Sequence, residues 1–432
     1  MEKLWMGLLV MVPVLPKVEV VSWGGVPLLL DDCALLCALL LAGWMLVTQA
    51  AVSGRLRLSV SRVVPLFSML ILYKSVDLGI LSLIHPWTDR FGIGKGVLLA
   101  EGTLVLAKTL AFFLIYLLLL TYLRSRESIY TLVRYQIWCI AVVVGIGLIQ
   151  FFVLDHPILT STFRNIHHLT ENAEIWKVKD PWLDPGAAGH EHLGAYMVLS
   201  LSLLGGLLLC KWPLVQGWRR LVALLWVGCL FNLVFSSSRG AWVAGACALG
   251  MLSWFALRRG RAKVLILWAC LIIGVALLLQ VAGYADVAGY MENRVVGVTG
   301  ALAGKVGDDS TLQRLSLLRT LWEVFSAHPV FGMGPGGAGR IAEGQFIREL
   351  VEGGAIGMAL FLALMVQSGR LALKLYRSTA EPMTQGIGMG FCCCLIGLGG
   401  QAFFTELLVL TKISVPFWML AAVAHRLGRV AP

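Results

Sequence analysis

The sequence predicts an all-α integral membrane protein of about twelve transmembrane helices, with a long outer loop that contains an amphipathic helix. Three observations predict it. Of the 432 residues, 58% are hydrophobic and 14% charged, whereas a soluble domain carries roughly a quarter charged residues. Apolar stretches of about 20 residues recur, each long enough to cross a hydrocarbon core of about 30 Å. The basic residues gather in every second connection, as the positive-inside rule requires.

The spans fall near 4–16, 33–50, 63–84, 96–122, 134–153 and 191–210, then near 219–236, 240–257, 264–283, 346–368, 384–405 and 408–425. The first, in MEKLWMGLLVMVPVLP, has no small-residue cleavage site behind it and reads as a short span, not a signal peptide. With both termini inside, the cytoplasmic connections hold GRLRLSVSR, LRSRES, KWPLVQGWRR, LRRGRAK and GRLALKLYR, and the tail adds Arg426 and Arg429. Among acids, only Glu2, Glu127 and Glu381 accompany them. The net charge of +11 is therefore a topology signal, with attraction to anionic membrane lipid as a second effect. No basic patch interleaves with exposed aromatics, which excludes nucleic acid as a partner. The ten cysteines all fall within predicted spans and make no CxxC or paired zinc pattern. They read as small apolar helix residues.

No repeat or linker divides the chain. Residues 1–190 hold the N-terminal helices and a first long outer segment, 156–189. Residues 191–368 form a core whose outer loop runs from 284 to 345, and 369–432 hold the last helices. Seven of the eight histidines lie on the outer side, and function in such a scaffold usually sits on loops. Within the second outer loop, Leu312, Leu315, Leu318, Trp322 and Phe325 recur at three- and four-residue steps, with Arg314, Arg319 and Glu323 off the stripe. Ser310 caps the start and Pro329 stops the helix. Such a helix lies on the membrane surface or against the bundle.

Several side chains at the outer side suit chemistry on an anion. Arg239, in FSSSRGAW, sits where one span ends and the next begins, and a guanidinium there grips phosphate bidentately. A snorkelling arginine is the plainer reading. Arg314, or Arg319 one turn on, offers a second cation, unless both belong to a solvated helix face. The turn GMGPGGAG, with Gly334 and Gly336, either converges backbone N–H groups on an anion or simply connects. It lacks the Gly-Lys-Ser/Thr ending of a nucleotide-binding loop. Glu343 precedes a span, where partial desolvation suits a general base and the helix dipole equally favours a plain glutamate. Glu352 lies deeper and needs a partner. His190, Glu191 and His192 open the sixth span. HEH is not HExxH and no third ligand is near, so these three read as substrate-binding or loop-ordering groups and no metal is expected. Lys74, Asp77, Glu101 and Lys108 lie inside spans, where charges pair. Lys74 is expected to pair with Asp77 or Glu101, with a substrate or proton path as the alternative.

Taken together, SSSRGAW, QRLSLLRTLWEVFSAHPVFGMGPGG and FIRELVEGGAIGM resemble the O-antigen ligase and O-antigen polymerase superfamily, most specifically from about 232 to 360. The resemblance implies a bacterial inner-membrane glycosyltransferase with a periplasmic active site. It implies a polyprenyl-pyrophosphate-linked glycan as donor, no cofactor, and a chain-length regulator or flippase as partner. Arg239 and Arg314 then hold the pyrophosphate leaving group, and inverting transfer follows. Where ligases of this superfamily have a His-Asn pair, this chain has Glu343-Gly344, which points to a polymerase with Glu343 as base. A ligase that transfers glycan to a lipid or protein acceptor is the alternative. From a different class, a transporter or flippase would use the charges of the third and fourth spans, although no paired broken helices are evident.

Overall fold

The structure is a computed structural model that describes residues 2–15, 19–23, 26–53, 63–84, 95–149, 189–210, 216–236, 238–261, 274, 309–338, 344–377 and 381–430. Seven helices among these are long and apolar enough to cross a membrane. They lie within Leu30–Ser53 (α2), Lys95–Tyr122 (α4), Arg126–Ile149 (α5), Gly189–Leu209 (α6), Arg239–Arg258 (α8), Gln345–Arg377 (α10) and Pro382–Gln401 (α11). Three more predicted spans are helical as Val63–Ile84 (α3), Gln216–Phe235 (α7) and Thr411–Val430 (α12). The predicted span at 264–283 lies outside the described residues apart from Gly274. In lipid every backbone polar group must be satisfied within the protein, which leaves an apolar run of this length little choice but the helix.

The first segment is shorter than the other predicted spans. Glu2–Met11 (α1) is a ten-residue helix followed by a 3-10 turn at Val12–Val14, and ten residues rise only about 15 Å. It packs against α2 and α5, with Trp5 buried and donating its indole N–H to the Ala38 carbonyl at 2.9 Å. Behind it, Glu19–Trp23 (β1) and Val26–Leu29 (β2) pair as an antiparallel hairpin. The helical reading of the sequence did not anticipate it, because the alternating run between Pro16 and Asp31 is too short to register against hydropathy on the scale of a span.

Small residues set how closely the central helices pack. Helix α11 lies against α6, α8 and α10, while α6 also touches α7 and α8. A Cβ on Gly206 would stand 2.3 Å from the Gly386 carbonyl oxygen, and one on Gly390 would stand 2.8 Å from that of Ser202. Backbones this close gain van der Waals contact where lipid supplies no hydrophobic drive between helices. The cysteine run of α11 serves the same packing, with Cys393 and Cys394 fully buried and free.

Helix α10 is broken at Gly354, whose φ of 57° and ψ of −160° lie outside the helical region. An unbroken helix would pair the Ala355 and Ile356 N–H groups with the Val351 and Glu352 carbonyls. Here the glycine-rich turn supplies all four partners. Ala355 and Ile356 donate to Pro329 and Val330 at 2.9 and 3.3 Å, and Val351 and Glu352 accept from Met333 and Gly334 at 2.8 and 2.9 Å. A Cβ at Gly354 would meet the Val330 carbonyl oxygen at 2.4 Å, so both the positive φ and the clearance require glycine. Ahead of the turn runs Asp309–Ala327 (α9), the expected amphipathic helix. Its contact with α10 is made mainly by Leu321 and Val324, joined from the stripe read in the sequence by the half-buried Phe325. Leu318 and Trp322 of that stripe stay exposed.

Replacing Gly206 with Ala should destabilise the protein by about 1–3 kcal/mol through overpacking at the α6–α11 crossing. The same change at Gly250, where a Cβ meets nothing within 4 Å, should leave the detergent-solubilised melting temperature level or slightly raised. Thermal unfolding of both variants checks the pair.

Candidate functional site

Three helices begin together at one end of the bundle. A Cβ on Gly194, near the start of α6, would stand 2.3 Å from the Ala241 side chain near the start of α8. One on Gly240 would reach Phe404 at 3.0 Å, and one on Gly344, just before α10, would reach the Phe403 carbonyl oxygen at 2.7 Å. The turn 402–405 thus bridges the starts of α8 and α10, and it accepts the Gln345 and Phe346 N–H groups through the Thr405 and Ala402 carbonyls. Helix N-termini carry partial positive charge and unpaired N–H groups. Gathering three of them makes this end of the bundle favourable to an anion.

The serines before Arg239 shape that end more than they line it. Ser238 is the N-cap of α8, its Oγ accepting from the Ala241 N–H at 3.3 Å. Ser236 Oγ donates to the Leu233 carbonyl at 2.7 Å, closing the end of α7. Arg239 is the first residue of α8. His192 is buried at the start of α6, close to the same junction.

Beneath the helix starts lies a buried ionic cluster. Arg348 is only 2% exposed, and its guanidinium meets Glu406 at 3.0 Å, Glu101 at 3.2 Å and Glu352 at 3.6 Å. Lys74 pairs with Glu349 at 2.9 Å, and Gln345 donates to the same carboxylate oxygen at 3.0 Å. Glu352 also accepts the Gly336 N–H at 3.1 Å. The Tyr73 hydroxyl stands 2.8 Å from both the Phe331 and Gly353 carbonyl oxygens, across the break in α10. Helices α3, α4 and α10, the glycine turn and the segment before α12 are thereby tied at one point. A Cβ on Gly102 would stand 2.1 Å from the Pro335 carbonyl oxygen, which fixes how tightly the turn seats on α4.

Residues 221–362, about a third of the chain, match the family model for O-antigen ligase. That segment is therefore similar to the O-antigen ligase family. The seven long apolar helices mark the chain as a membrane protein. No curated protein matches the chain. The O-antigen ligase segment runs from α7 through Arg239, α9 and the glycine turn, and it ends eight residues past the break at Gly354.

The structure places the sequence-predicted residues unevenly around this site. His190, Glu191 and Arg239 lie at the adjoining starts of α6 and α8. Arg314 lies on the first half of α9, and Arg319 is exposed on its second half. The side chains of His190, Glu191, Arg239 and Arg314 lie outside the described residues, as does the whole of Glu343, whose neighbour Gly344 stands at the start of α10. Gly334 and Gly336 hold positive φ angles of 81° and 85°, but their N–H groups donate to the Glu352 carbonyl and carboxylate. In this arrangement the two offer no donor to an anion. Their turn works as a clip on α10.

The expected pairing of Lys74 with Asp77 or Glu101 is corrected. Lys74 takes Glu349, Glu101 takes Arg348, and Lys108 takes Asp32 at 2.9 Å. Asp77 is buried, and its Oδ2 has no hydrogen-bond partner among the described residues. Sequence reasoning passed over Arg348, Glu349, Glu406 and Tyr73. A signal for two of them was present in RELVE, where Arg348, Glu349 and Glu352 share one helical face at the head of an apolar run.

Arg348→Met should leave Glu101 and Glu352 without their cation. Stripping one partner from a buried ion pair costs about 3–5 kcal/mol. We expect a large fall in melting temperature and in the yield of monodisperse protein, with Arg348→Lys intermediate because ammonium cannot span three carboxylates as a planar fork does. Size-exclusion profiles and thermal unfolding check this.

Proposed function

We propose that the protein is a glycosyltransferase of the bacterial inner membrane that extends a polyprenyl-pyrophosphate-linked glycan at the periplasmic face, acting as a polysaccharide or O-antigen polymerase. The gathering of the starts of α6, α8 and α10 around Arg239, within the segment that matches O-antigen ligase, carries the reading. An anionic pyrophosphate suits that pole of helix dipoles. The positive-inside pattern assigns it to the periplasmic side, with both termini in the cytoplasm.

In this mechanism Arg239 and Arg314 hold the donor pyrophosphate. An acceptor sugar hydroxyl attacks the anomeric carbon from the face opposite the leaving group. The new C–O bond forms as the anomeric carbon–phosphate oxygen bond breaks, and the electron pair departs on the pyrophosphate, where the guanidinium groups neutralise it. Glu343 takes the hydroxyl proton. The configuration inverts, and no metal or other cofactor takes part. His190, Glu191, His192 and Arg319 are assigned to sugar or phosphate contact, while Gly334 and Gly336 set the turn that fixes α9 to α10. A flippase that delivers the donor and a chain-length regulator are the partners this activity calls for.

Ligation is the second reading, favoured by the description of the matched family itself. The Glu343-Gly344 pair tips the choice towards polymerase. For the transporter reading, the buried charges of α3 and α4 are a poor path. Lys74 and Glu101 are tied to α10.

Purified protein supplied with a polyprenyl-pyrophosphate oligosaccharide should yield a ladder of repeat units. Arg239→Ala should lower the rate by about 10²–10³, the range for removing a group that stabilises developing negative charge. Glu343→Gln should do likewise with donor binding retained. Block transfer to a single lipid acceptor would indicate the ligase instead, and full activity in normally folded Arg239→Ala would sink both.

A further inference from the structure

Helix α9 has three faces, and only two of them have an obvious neighbour. Leu317, Leu321, Val324 and His328 form the face towards the bundle, with Leu321 and Val324 buried against α10. At about 100° per residue, Ser316, Arg319, Thr320, Glu323 and Ser326 fall on the far side, polar and exposed. Between the two lies an apolar stripe of Leu318, Trp322 and Phe325. Trp322 is 54% exposed and Leu318 43%. The turn that follows adds Val330 and Phe331, the latter 60% exposed.

The depth of this patch follows from α10. From Ala355 to Lys374 the helix rises about 30 Å, one hydrocarbon thickness. Its far end carries exposed Arg370, Lys374 and Arg377, which suit a headgroup layer. The break at Gly354 therefore lies at the opposite interface, and the hydrogen bond from Ile356 to Val330 pins the turn there. Ile356, Leu362 and Val366 are exposed apolar residues of α10, and Val330 and Phe331 extend this apolar surface beyond Ile356.

We infer that α9 and its turn form an interfacial wedge, in which Leu318, Trp322, Val330 and Phe331 insert among the lipid chains of the leaflet beside the break in α10. The polar face with Arg319 and Glu323 remains in water. This inference does not depend on the glycosyl-transfer reading, because it concerns the lipid bilayer alone. An aromatic anchor of this kind holds the glycine turn at a fixed depth, so α9 cannot lift away from α10 without withdrawing Trp322 and Phe331 from lipid.

The test uses the full chain in nanodiscs of phosphatidylethanolamine and phosphatidylglycerol. A photoreactive p-benzoylphenylalanine replaces Trp322, Phe331, Glu323 or Ser326 in turn, and Leu362 serves as a lipid-facing reference. After irradiation, mass spectrometry should find several-fold more lipid adduct at 322 and 331 than at 323 and 326, approaching the yield at 362. All four positions are surface-exposed, and unchanged melting temperatures would show that each variant keeps its fold. Equal yields at the four positions, or adduct at 362 with none at 322 and 331, would overturn the wedge. So would crosslinks from 322 and 331 to a second copy of the chain.

Discussion

The buried guanidinium of Arg348 is the interaction on which the arrangement at this end of the protein depends. It stands among Glu101 of α4, Glu352 one turn along α10, and Glu406 ahead of α12. A charge this far from water is tolerable only when paired and hydrogen-bonded, and three carboxylates from three parts of the chain meet that demand together. Each carboxylate is in turn tolerable only because the arginine is there. The mutual requirement gives one register among α4, α10 and the final hairpin of helices, where apolar contacts alone would allow sliding. Lys74 and Glu349 repeat the device between α3 and α10.

The break in α10 rests on that cluster. Opening a helix that is buried in the protein leaves donors and acceptors that need other partners. The glycine turn satisfies them, and Glu352 holds the turn a second time through the Gly336 N–H. The Tyr73 hydroxyl stitches the two strands of the junction from α3. Ionic cluster, broken helix and turn are therefore one construction. Its effect is to fix the direction in which α9 leaves the bundle, and with it the place of Arg314 relative to the start of α8.

Much of the fold was legible in hydropathy, because a run of about 20 apolar residues admits few structures in lipid. The segments that became α2, α4, α5, α6, α8, α10 and α11 were all placed this way. What escaped is what depends on partners distant in sequence. Lys74 and Asp77 lie three apart on one helix face, so local pairing was the natural reading, yet the lysine finds Glu349 on another helix. The break at Gly354 was hidden because Gly-Gly within an apolar run still scores as a span. For α9, periodicity located a stripe but could not say which face meets protein. Leu321 and Val324 lie about 100° round from it. Of the site, Arg239 and the HEH sequence were legible as polar residues at span boundaries. Their closeness was not, since it rests on Gly194 admitting Ala241.

The distribution of charge at the site has a consequence for how an anion would be held. Beneath the helix starts, Asp77, Glu101, Glu349, Glu352 and Glu406 outnumber Lys74 and Arg348 among the described residues, and both cations are engaged by carboxylates. A pyrophosphate approaching that layer would meet like charge. Attraction must therefore come from the rim, where the starts of α6 and α8 adjoin and Arg239 opens α8. The glycine turn does not relieve this, for its N–H groups are engaged by α10. The acidic base thus works against deep entry of an anion and favours its binding at the rim. Under the proposed glycosyl transfer, that is also the depth at which a lipid-anchored donor would present its headgroup.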